Sequence, residues 1–412
     1  MTRWIRKLAI FLALLSLPAG AATTLPRGIY TVKIAGKPEG SEQARTYLGI
    51  QLLPDTRYQG NVGSVDGNAF TFGDFTTPAG IAEPGREFYV HVLDGPGRGF
   101  IGDIAEFRPD DILCTSPLGD WMGPGTRILI RPHSTLGDIF GADNRFGLGS
   151  GVDAESGDNV VLWDPVSQRQ RVYYFHSVRA RWEEEGIEAD ASQAVVRFPN
   201  GLYIVRRAAG NLRVALSGEI GSESVLLPVR PGANVFSLPI NLSTSLANLI
   251  RTDGDFPVRP GVNANRADLL TLEEPGGASR GPFYYLSRQG SEGWREVGVN
   301  GSDQAIQPLD YLSTLVLRRD DLPGHVLAEG SLAPGPGFEL SPDPEPGEVP
   351  LDGELPLPAA LPPDITLTVE TSTDLQSWST AAVVVPEGNK AIFPLPPGQT
   401  RAFYRLNITL SP

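Results

Sequence analysis

One stretch of this chain occurs twice, and the duplication limits the folds available to it. A tyrosine pair that begins at Tyr173 recurs at Tyr284, 111 residues later, and Trp182 recurs as Trp294, 112 residues later. Solenoid repeats have periods of roughly 20 to 50 residues, so this spacing is that of a whole domain. We therefore expect two related units that share one fold.

Local patterns in the sequence predict β-strands. Glycine and proline are abundant, at 47 and 37 residues, and short alternating runs of apolar and polar residues recur between turn residues. Asp66-Gly67-Asn68 lies between two such runs and predicts a hairpin, because glycine supplies the positive φ of a tight turn. The predicted fold class is all-β, with duplicated sandwich or barrel-like units, short helical turns and a small C-terminal β module.

Each copy of the repeated stretch also carries a short helical signal. Ser134 is placed to cap a turn over 135–140, whose apolar residues lie on one face. In the second copy, Thr244 or Ser245 precedes apolar residues at the same spacing within 246–250. We expect a helical turn at both places.

The first residues have the pattern of a secretory signal peptide. A basic start is followed by an apolar run at 8–17 and a small-residue cleavage pattern at 19–21. The apolar run is shorter than the roughly 20 residues of a membrane-spanning helix. We expect export to the periplasm, the cell surface or the extracellular space, and a chain that is not an integral membrane protein.

Composition divides the rest of the chain. Residues 334–363 are rich in proline and acidic residues and contain no lysine or arginine, which predicts a disordered linker. The predicted divisions are a signal peptide at 1–21, an N-terminal β domain at 22–132, a first β repeat unit at 133–232, a second at 233–333, the linker at 334–363 and a small C-terminal β module at 364–412.

Charge and cysteine usage exclude some classes of partner and bond. The formal net charge of −14 makes nucleic acid an improbable partner, because an acidic surface repels phosphate groups. Cys114 is the single cysteine, so no internal disulfide forms and each core must be stable without one. The surrounding apolar residues favour a buried Cys114 rather than a nucleophile.

Two groups of residues carry a resemblance to known families. The first comprises Thr135-Leu136-Gly137-x-x-Phe140, Tyr173-Tyr174-Phe175, Trp182, Tyr203-Ile204-Val205-Arg206-Arg207 and Leu216-Ser217-Gly218-Glu219. It resembles a family of exported β-rich proteins of verrucomicrobial-type bacteria. The second, Ser372-Thr373-Asp374-Leu375-x-x-Trp378 with Phe403-Tyr404-Arg405-Leu406, is similar to a C-terminal module of exported proteins of such bacteria. Neither resemblance supplies catalytic residues.

Aromatic rings and arginines of the two copies are candidates for ligand contact. Rings on a sheet surface provide stacking platforms for sugars, although rings in β units more often fill the core. Arginines suit anionic glycans, although a charge at a strand end more often protects a sheet edge. The candidate ligand-binding residues are Tyr173, Trp182, Tyr284, Trp294, Arg206 and Arg318.

A calcium site is a further candidate, in the loop that follows the first helical signal. Asp143, Asp153 and Asp158 offer the oxygen ligands that calcium prefers, and an exported protein meets calcium at high concentration. The loop lacks the complete spacing of known calcium loops, so solvated polar turns are the alternative. No other cofactor is expected.

Two further patterns have ordinary structural explanations. Gly97 to Gly102 matches the dinucleotide fingerprint, but no helical pattern follows it, which favours a glycine-rich strand connection. In the second copy Leu272-Glu273 stands where the first has Trp163-Asp164, so Trp163 is not required by the shared framework.

These observations favour a non-enzymatic exported protein with a structural, adhesive or glycan-contacting role. Its partner would be an extracellular glycan or an envelope protein. The first alternative is a carbohydrate-active hydrolase whose carboxylates come from separate strands, which sequence spacing does not reveal. The second alternative is a calcium-dependent binding module.

Overall fold

The computed structural model divides the chain into two compact units. One comprises residues 29–339, and the other comprises residues 1–28 together with 340–412. The predicted signal peptide lies outside the described residues. None of the helices in the described part of the chain has the length and apolar character that a membrane crossing requires. The structure describes residues 22–328 with gaps at 24–26, 51, 74–76, 78–79, 222, 238–243, 247–248, 252–257, 274–277, 289–290, 300–303, 305–307, 310–313 and 320–323, and then 352–356, 365–372, 378–384, 386–387, 390–394 and 401–410.

Strands make up nearly all of the regular structure, which confirms the predicted all-β class. The first half contains β1 Ala22–Thr23, β2 Arg27–Ile34, β3 Ala44–Leu48, β4 Leu52–Leu53, β5 Tyr58–Asp66, β6 Ala69–Phe72, β7 Phe88–Val92, β8 Ile101–Phe107, β9 Ile112–Cys114, β10 Arg127–Pro132, β11 Ser134–Thr135, α1 Leu136–Phe140, β12 Asn159–Asp164, β13 Arg169–His176, β14 Arg181–Glu184, β15 Val195–Val196, β16 Leu202–Arg206 and β17 Leu212–Ile220.

The second half continues the numbering. It contains β18 Val225–Val229, β19 Gly232–Ser237, β20 Thr244–Ser245, β21 Leu249–Arg251, a 3-10 turn at Ala264–Arg266, β22 Leu269–Glu273, β23 Ser279–Leu286, β24 Gly293–Glu296, β25 Pro308–Leu309, β26 Thr314–Arg319, β27 Gly324–Ala328, β28 Asp352–Pro356, β29 Ile365–Ser372, β30 Ser379–Val384, β31 Pro386–Glu387, β32 Lys390–Pro394 and β33 Arg401–Leu410.

Six strands close into a barrel in the order β10-β5-β6-β9-β8-β7. Closure removes the exposed strand edges, and alternate side chains such as Phe70, Phe88 and Ile128 fill the interior. The predicted hairpin joins β5 to β6, and Gly67 at its turn has a φ of 61°, which glycine adopts without strain. Cys114 is buried in the same core, and burial raises the pKa of its thiol to about 12.

Two further groups of strands have the same order and pairing. The first strand set consists of β2–β4 and β11–β17, and the second strand set consists of β18–β27. A five-stranded sheet β3-β16-β12-β13-β14 in the first set corresponds to β19-β26-β22-β23-β24 in the second. The pair β11-β15 corresponds to β20-β25, and the group β2-β17-β4 corresponds to β18-β27-β21. The two sets therefore share one pattern of strand pairing, although β4 comes before β11 along the chain and its counterpart β21 comes after β20.

The barrel interrupts the first strand set along the chain. Strand β3 pairs with β16, so that Ala44 lies opposite Arg206 although the barrel strands β5–β10 come between them in sequence. The predicted N-terminal domain at 22–132 is thus shared between the barrel and the first strand set. The whole barrel is inserted between β4 and β11, which is possible because a closed barrel needs no partner for its strand edges.

The two helical signals have different outcomes. Helix α1 buries Leu136 and Ile139 as predicted, but its N-cap is Thr135 and not Ser134, because Ser134 belongs to β11. Thr135 and Asp138 form a reciprocal capping box. In the second copy Leu246 is in a 3-10 conformation, as the helical signal predicts, but Leu249–Arg251 form a strand at the edge of β27. In the first set, β4 covers the edge of β17 that corresponds to this edge of β27. The residues after Thr135 are therefore not needed there as a strand, and they form the helix α1.

The register of the sheets corrects the alignment of the two copies by one residue. Phe175 lies opposite Trp182 in β14, and Tyr285 lies opposite Trp294 in β24. Tyr174 therefore corresponds to Tyr284, and the buried Tyr173 corresponds to the buried Phe283. A slip of one residue would place every side chain on the wrong face of the strand. The hairpin turn before Trp294 is two residues longer, which explains the spacing of 112 at the tryptophans.

The smaller unit also consists of antiparallel strands. Strand β29 pairs with β30 and β33, and β32 pairs with β28 and β31. Strands β29 to β33 lie within the predicted C-terminal β module at 364–412. Strand β28, Asp352–Pro356, lies within the predicted linker, where an already extended backbone adds to the edge of β32. The linker residues before it lie outside the described residues.

Candidate functional site

Most of the predicted stacking rings lie in the core. Tyr173 and Trp182 are 0% exposed and Trp294 is 1% exposed, whereas Tyr284 is half-buried. The Trp182 indole donates a hydrogen bond to the Gly141 carbonyl at 2.8 Å. Three of the four rings therefore stabilise the two sheets and have no face available to a ligand.

One predicted arginine forms a buried ion pair that the second strand set repeats. Arg206 Nη1 lies 2.8 Å from Asp158 Oδ2, and Arg319 Nη2 lies 2.8 Å from Asp268 Oδ2. The exposed Arg318 precedes Arg319 on β26 and does not occupy the position of Arg206. Each aspartate directly precedes a strand, β12 or β22, and each arginine ends the neighbouring strand, β16 or β26, so the two pairs have the same structural role.

The predicted calcium ligands are not brought together. The Asp158 carboxylate accepts hydrogen bonds from the Gly149 and Arg207 amides, both at 2.7 Å, in addition to its ion pair. Asp153 accepts from Ser156, and Asp143 is exposed. Among the described residues, no group of three or more histidine, cysteine or acidic side chains is arranged to hold a metal ion. Asp158 is therefore already committed to other contacts.

A pocket of about 520 Å³ lies where the barrel meets both strand sets. We call it the three-wall pocket. The barrel contributes Phe100–Asp103 and Trp121, the first strand set contributes Leu162–Val166, Arg171 and 195–201, and the second contributes Leu226, Pro228, Arg230 and His325. The predicted ligand-binding residues are absent from its lining.

The barrel wall is an ordered aromatic stack. The Trp121 and Phe100 rings lie parallel, with centroids 4.8 Å apart and an angle of 7° between planes. The His325 ring meets Trp121 edge-on at 5.1 Å. A Cβ atom on Gly97 would lie 1.9 Å from the Trp121 carbonyl oxygen, so this position requires glycine. The fingerprint-like glycines thus form a turn that leads into β8 and supports Trp121.

Trp163 attaches the wall that the first strand set contributes to the second strand set. The Trp163 indole N–H donates to the Ala233 carbonyl at 2.7 Å, and Gln168 forms two hydrogen bonds with the same residue. Asp164 accepts from Ser167 Oγ at 2.6 Å and from the Val166 amide at 2.9 Å. These bonds hold a half-buried indole against the pocket.

A charged network holds one side of the pocket in place. Asp103 accepts from His133 Nε2 at 3.1 Å and pairs with Arg197 Nε at 3.2 Å. His133 Nδ1 accepts the Phe198 amide, so Nε2 carries the ring proton. Burial alone would raise the pKa of Asp103, but the contacts with His133 and Arg197 outweigh it and lower that pKa. Asp103 is therefore ionised at neutral pH.

The chemistry of the pocket suits binding more than hydrolysis. Its two lining carboxylates, Asp103 and Asp164, come from separate strands, as the hydrolase alternative requires. A glycosidase needs one carboxyl group that stays protonated as general acid. The hydrogen bond from Ser167 lowers the pKa of Asp164, and that of Asp103 is lowered as well. Neither described carboxyl group in the pocket meets the requirement for an acid.

The pocket escapes sequence analysis because its walls come from three distant segments. The sequence did contain one signal for the pocket, a difference between the two copies. The sheet register places Glu273 of the second copy at the position of Trp163 in the first. A tryptophan that the shared framework does not need is a candidate for function. No protein-family model, no curated protein and no solved structure matches this chain.

Proposed function

We propose that this chain is an exported, non-enzymatic protein that binds glycans in the three-wall pocket. The observation that carries the proposal is the convergence of two half-buried indoles, Trp121 and Trp163, on one concave space. Ligand pockets commonly have volumes of about 300 to 1,000 Å³, and the volume here is sufficient for a short saccharide. Indole faces bury the C–H faces of sugar rings, and fixed polar groups select among hydroxyl patterns.

The pocket is held in shape before any ligand arrives. Ser224 accepts a hydrogen bond from Arg98 at 2.6 Å, and the Leu226 amide donates to the Gly99 carbonyl at 2.8 Å, which fixes the second strand set to the barrel. The Gly201 amide donates to the Val235 carbonyl at 2.8 Å and joins the two sets. A preformed site loses little conformational freedom on binding, which favours affinity.

The shared pattern of strand pairing supports an origin by duplication, after which one copy acquired a ligand. The second strand set keeps the buried ion pair and the core tryptophan, but it has Glu273 where the first has Trp163. In this proposal the framework is common and the pocket belongs to the junction that the barrel creates. The predicted export signal and C-terminal module fit such a role outside the cytoplasm, and both stay predictions.

Hydrolysis and calcium-dependent binding receive less support. The lowered pKa values of the pocket carboxyl groups argue against a general acid, as described above. The pairing of Asp158 with Arg206 argues against a calcium site in the predicted loop.

The test is a glycan array probed with the mature protein and with Trp163→Ala. We expect binding to one class of glycan, with a dissociation constant at least tenfold weaker in the variant, equivalent to about 1.4 kcal/mol. Phe146→Ala is the matched control, because Phe146 is a half-buried ring outside the pocket lining. Equal affinities for wild type and Trp163→Ala, with melting temperatures unchanged, would overturn the proposal.

A further inference from the structure

The charged residues of the three-wall pocket differ in whether they already have partners. Arg171 forms a bidentate pair with Glu184, with hydrogen bonds of 3.0 and 2.7 Å. Arg197 pairs with Asp103, and it also donates to Glu87. Among the described residues, the guanidinium of Arg230 forms no hydrogen bond and no ion pair, although it lines the same pocket.

The backbone of Arg230 is nevertheless held firmly. Its amide donates to Asn234 Oδ1 at 2.8 Å, and its carbonyl accepts from Asn234 Nδ2 at 2.7 Å. Asn234 is 0% exposed and also donates to the Leu317 carbonyl at 3.1 Å, which fixes the turn to β26. These bonds fix the Arg230 backbone, while within the described part of the chain its guanidinium has no hydrogen-bonding or ionic partner.

The same turn carries the attachment point of Trp163. The indole N–H binds the carbonyl of Ala233, three residues after Arg230. The indole of Trp163 is thus hydrogen-bonded to the turn that carries Arg230, and both residues line the pocket. The formal charge of the whole chain is −14, so attraction of an anion at this place depends on the local cation.

We propose that the ligand is an acidic saccharide whose ring carboxylate pairs with Arg230 while its ring stacks on Trp163. This inference rests on the proposed function and names its ligand class. A guanidinium presents a planar fork of donors that matches a carboxylate through two hydrogen bonds. The planar carboxylate of a hexuronic acid fits that fork, and its pyranose ring supplies the apolar face for the indole.

Calorimetric titration of the mature protein with uronic-acid trisaccharides tests the inference. The probes are trimers of galacturonate, glucuronate and mannuronate, each compared with its methyl ester, which keeps the ring and removes the charge. We expect one acid form to bind at least tenfold more tightly than its ester. Arg230→Gln should abolish that preference, and Arg230→Lys should keep part of it, because lysine has charge without the fork.

Arg266→Gln is the matched control, since Arg266 is also exposed, lies outside the pocket and forms no side-chain pair among the described residues. It should leave the preference unchanged. Acid and ester forms that bind equally, in a manner sensitive to Trp163→Ala, would overturn the acidic-ligand inference and leave the proposed function standing. A preference that survives in Arg230→Gln would also overturn it. No binding of any probe or of any arrayed glycan would overturn both proposals.

Discussion

The buried ion pairs offer the sharpest test of the shared framework. Asp158 is 2% exposed and accepts from Arg206 at 2.8 Å and from two amides at 2.7 Å. Asp158→Asn would leave the Arg206 guanidinium buried without a counter-ion. Breaking one partner of a buried pair costs about 3 to 5 kcal/mol, and we expect a loss of about 3 kcal/mol because an asparagine oxygen keeps part of the hydrogen bonding.

Asp268→Asn should cost a similar amount, because Asp268 holds Arg319 in the same way. Glu83→Gln is the control, since its pair with Arg57 has a similar length, 2.9 Å, but both side chains are exposed. An exposed pair contributes about 1 kcal/mol or less. The assay is urea-induced unfolding followed by tryptophan fluorescence. A loss in Asp158→Asn no larger than in Glu83→Gln would refute the reasoning.

Three further predictions follow from the described contacts. Gly97→Ala should lower the melting temperature and weaken glycan binding together, because its Cβ would clash with the Trp121 carbonyl at 1.9 Å; normal binding would contradict the supporting role of that turn. Burial lowers the pKa of His91 to about 4, below its ordinary value of 6.5, so stability should fall as pH drops from about 6.5 to 4. His91→Gln should flatten that dependence in a pH series of urea unfolding, and an equally steep slope would contradict it. Adding calcium or a chelator should leave the melting temperature unchanged, because Asp158 is paired with Arg206; a shift of several degrees would revive the calcium hypothesis.

The fold class was predictable because strand periodicity and turn residues are local properties of the sequence. The hairpin at Gly67 and the α1 turn followed from two or three residues each. The pairing of β3 with β16 was not predictable, because no local signal records which distant strand covers an edge. The same reason applies to the second helical signal at 246–250, where Leu246 is in a 3-10 conformation but Leu249–Arg251 pair with the edge of β27 as a strand.

The candidate site, unlike the fold class, was not predictable from the repeated residues. The repeated residues Trp182 and Trp294 recur because the core of each strand set needs them, and both are buried. Repetition therefore indicated structure rather than function. The pocket uses residues that differ between the sets, such as Trp163 against Glu273, and positions that only the folded barrel brings near. Differences between related copies were therefore the more informative signal for the candidate pocket.

Hydrogen exchange with and without the bound glycan tests the location of the site most directly. We expect slower exchange on binding in peptides that contain Phe100–Asp103 and Trp163–Val166, which line the pocket. Peptides around Tyr284, which lies outside the pocket lining, should exchange at the same rate in both states. Protection confined to other parts of the chain, with the pocket peptides unchanged, would contradict the account.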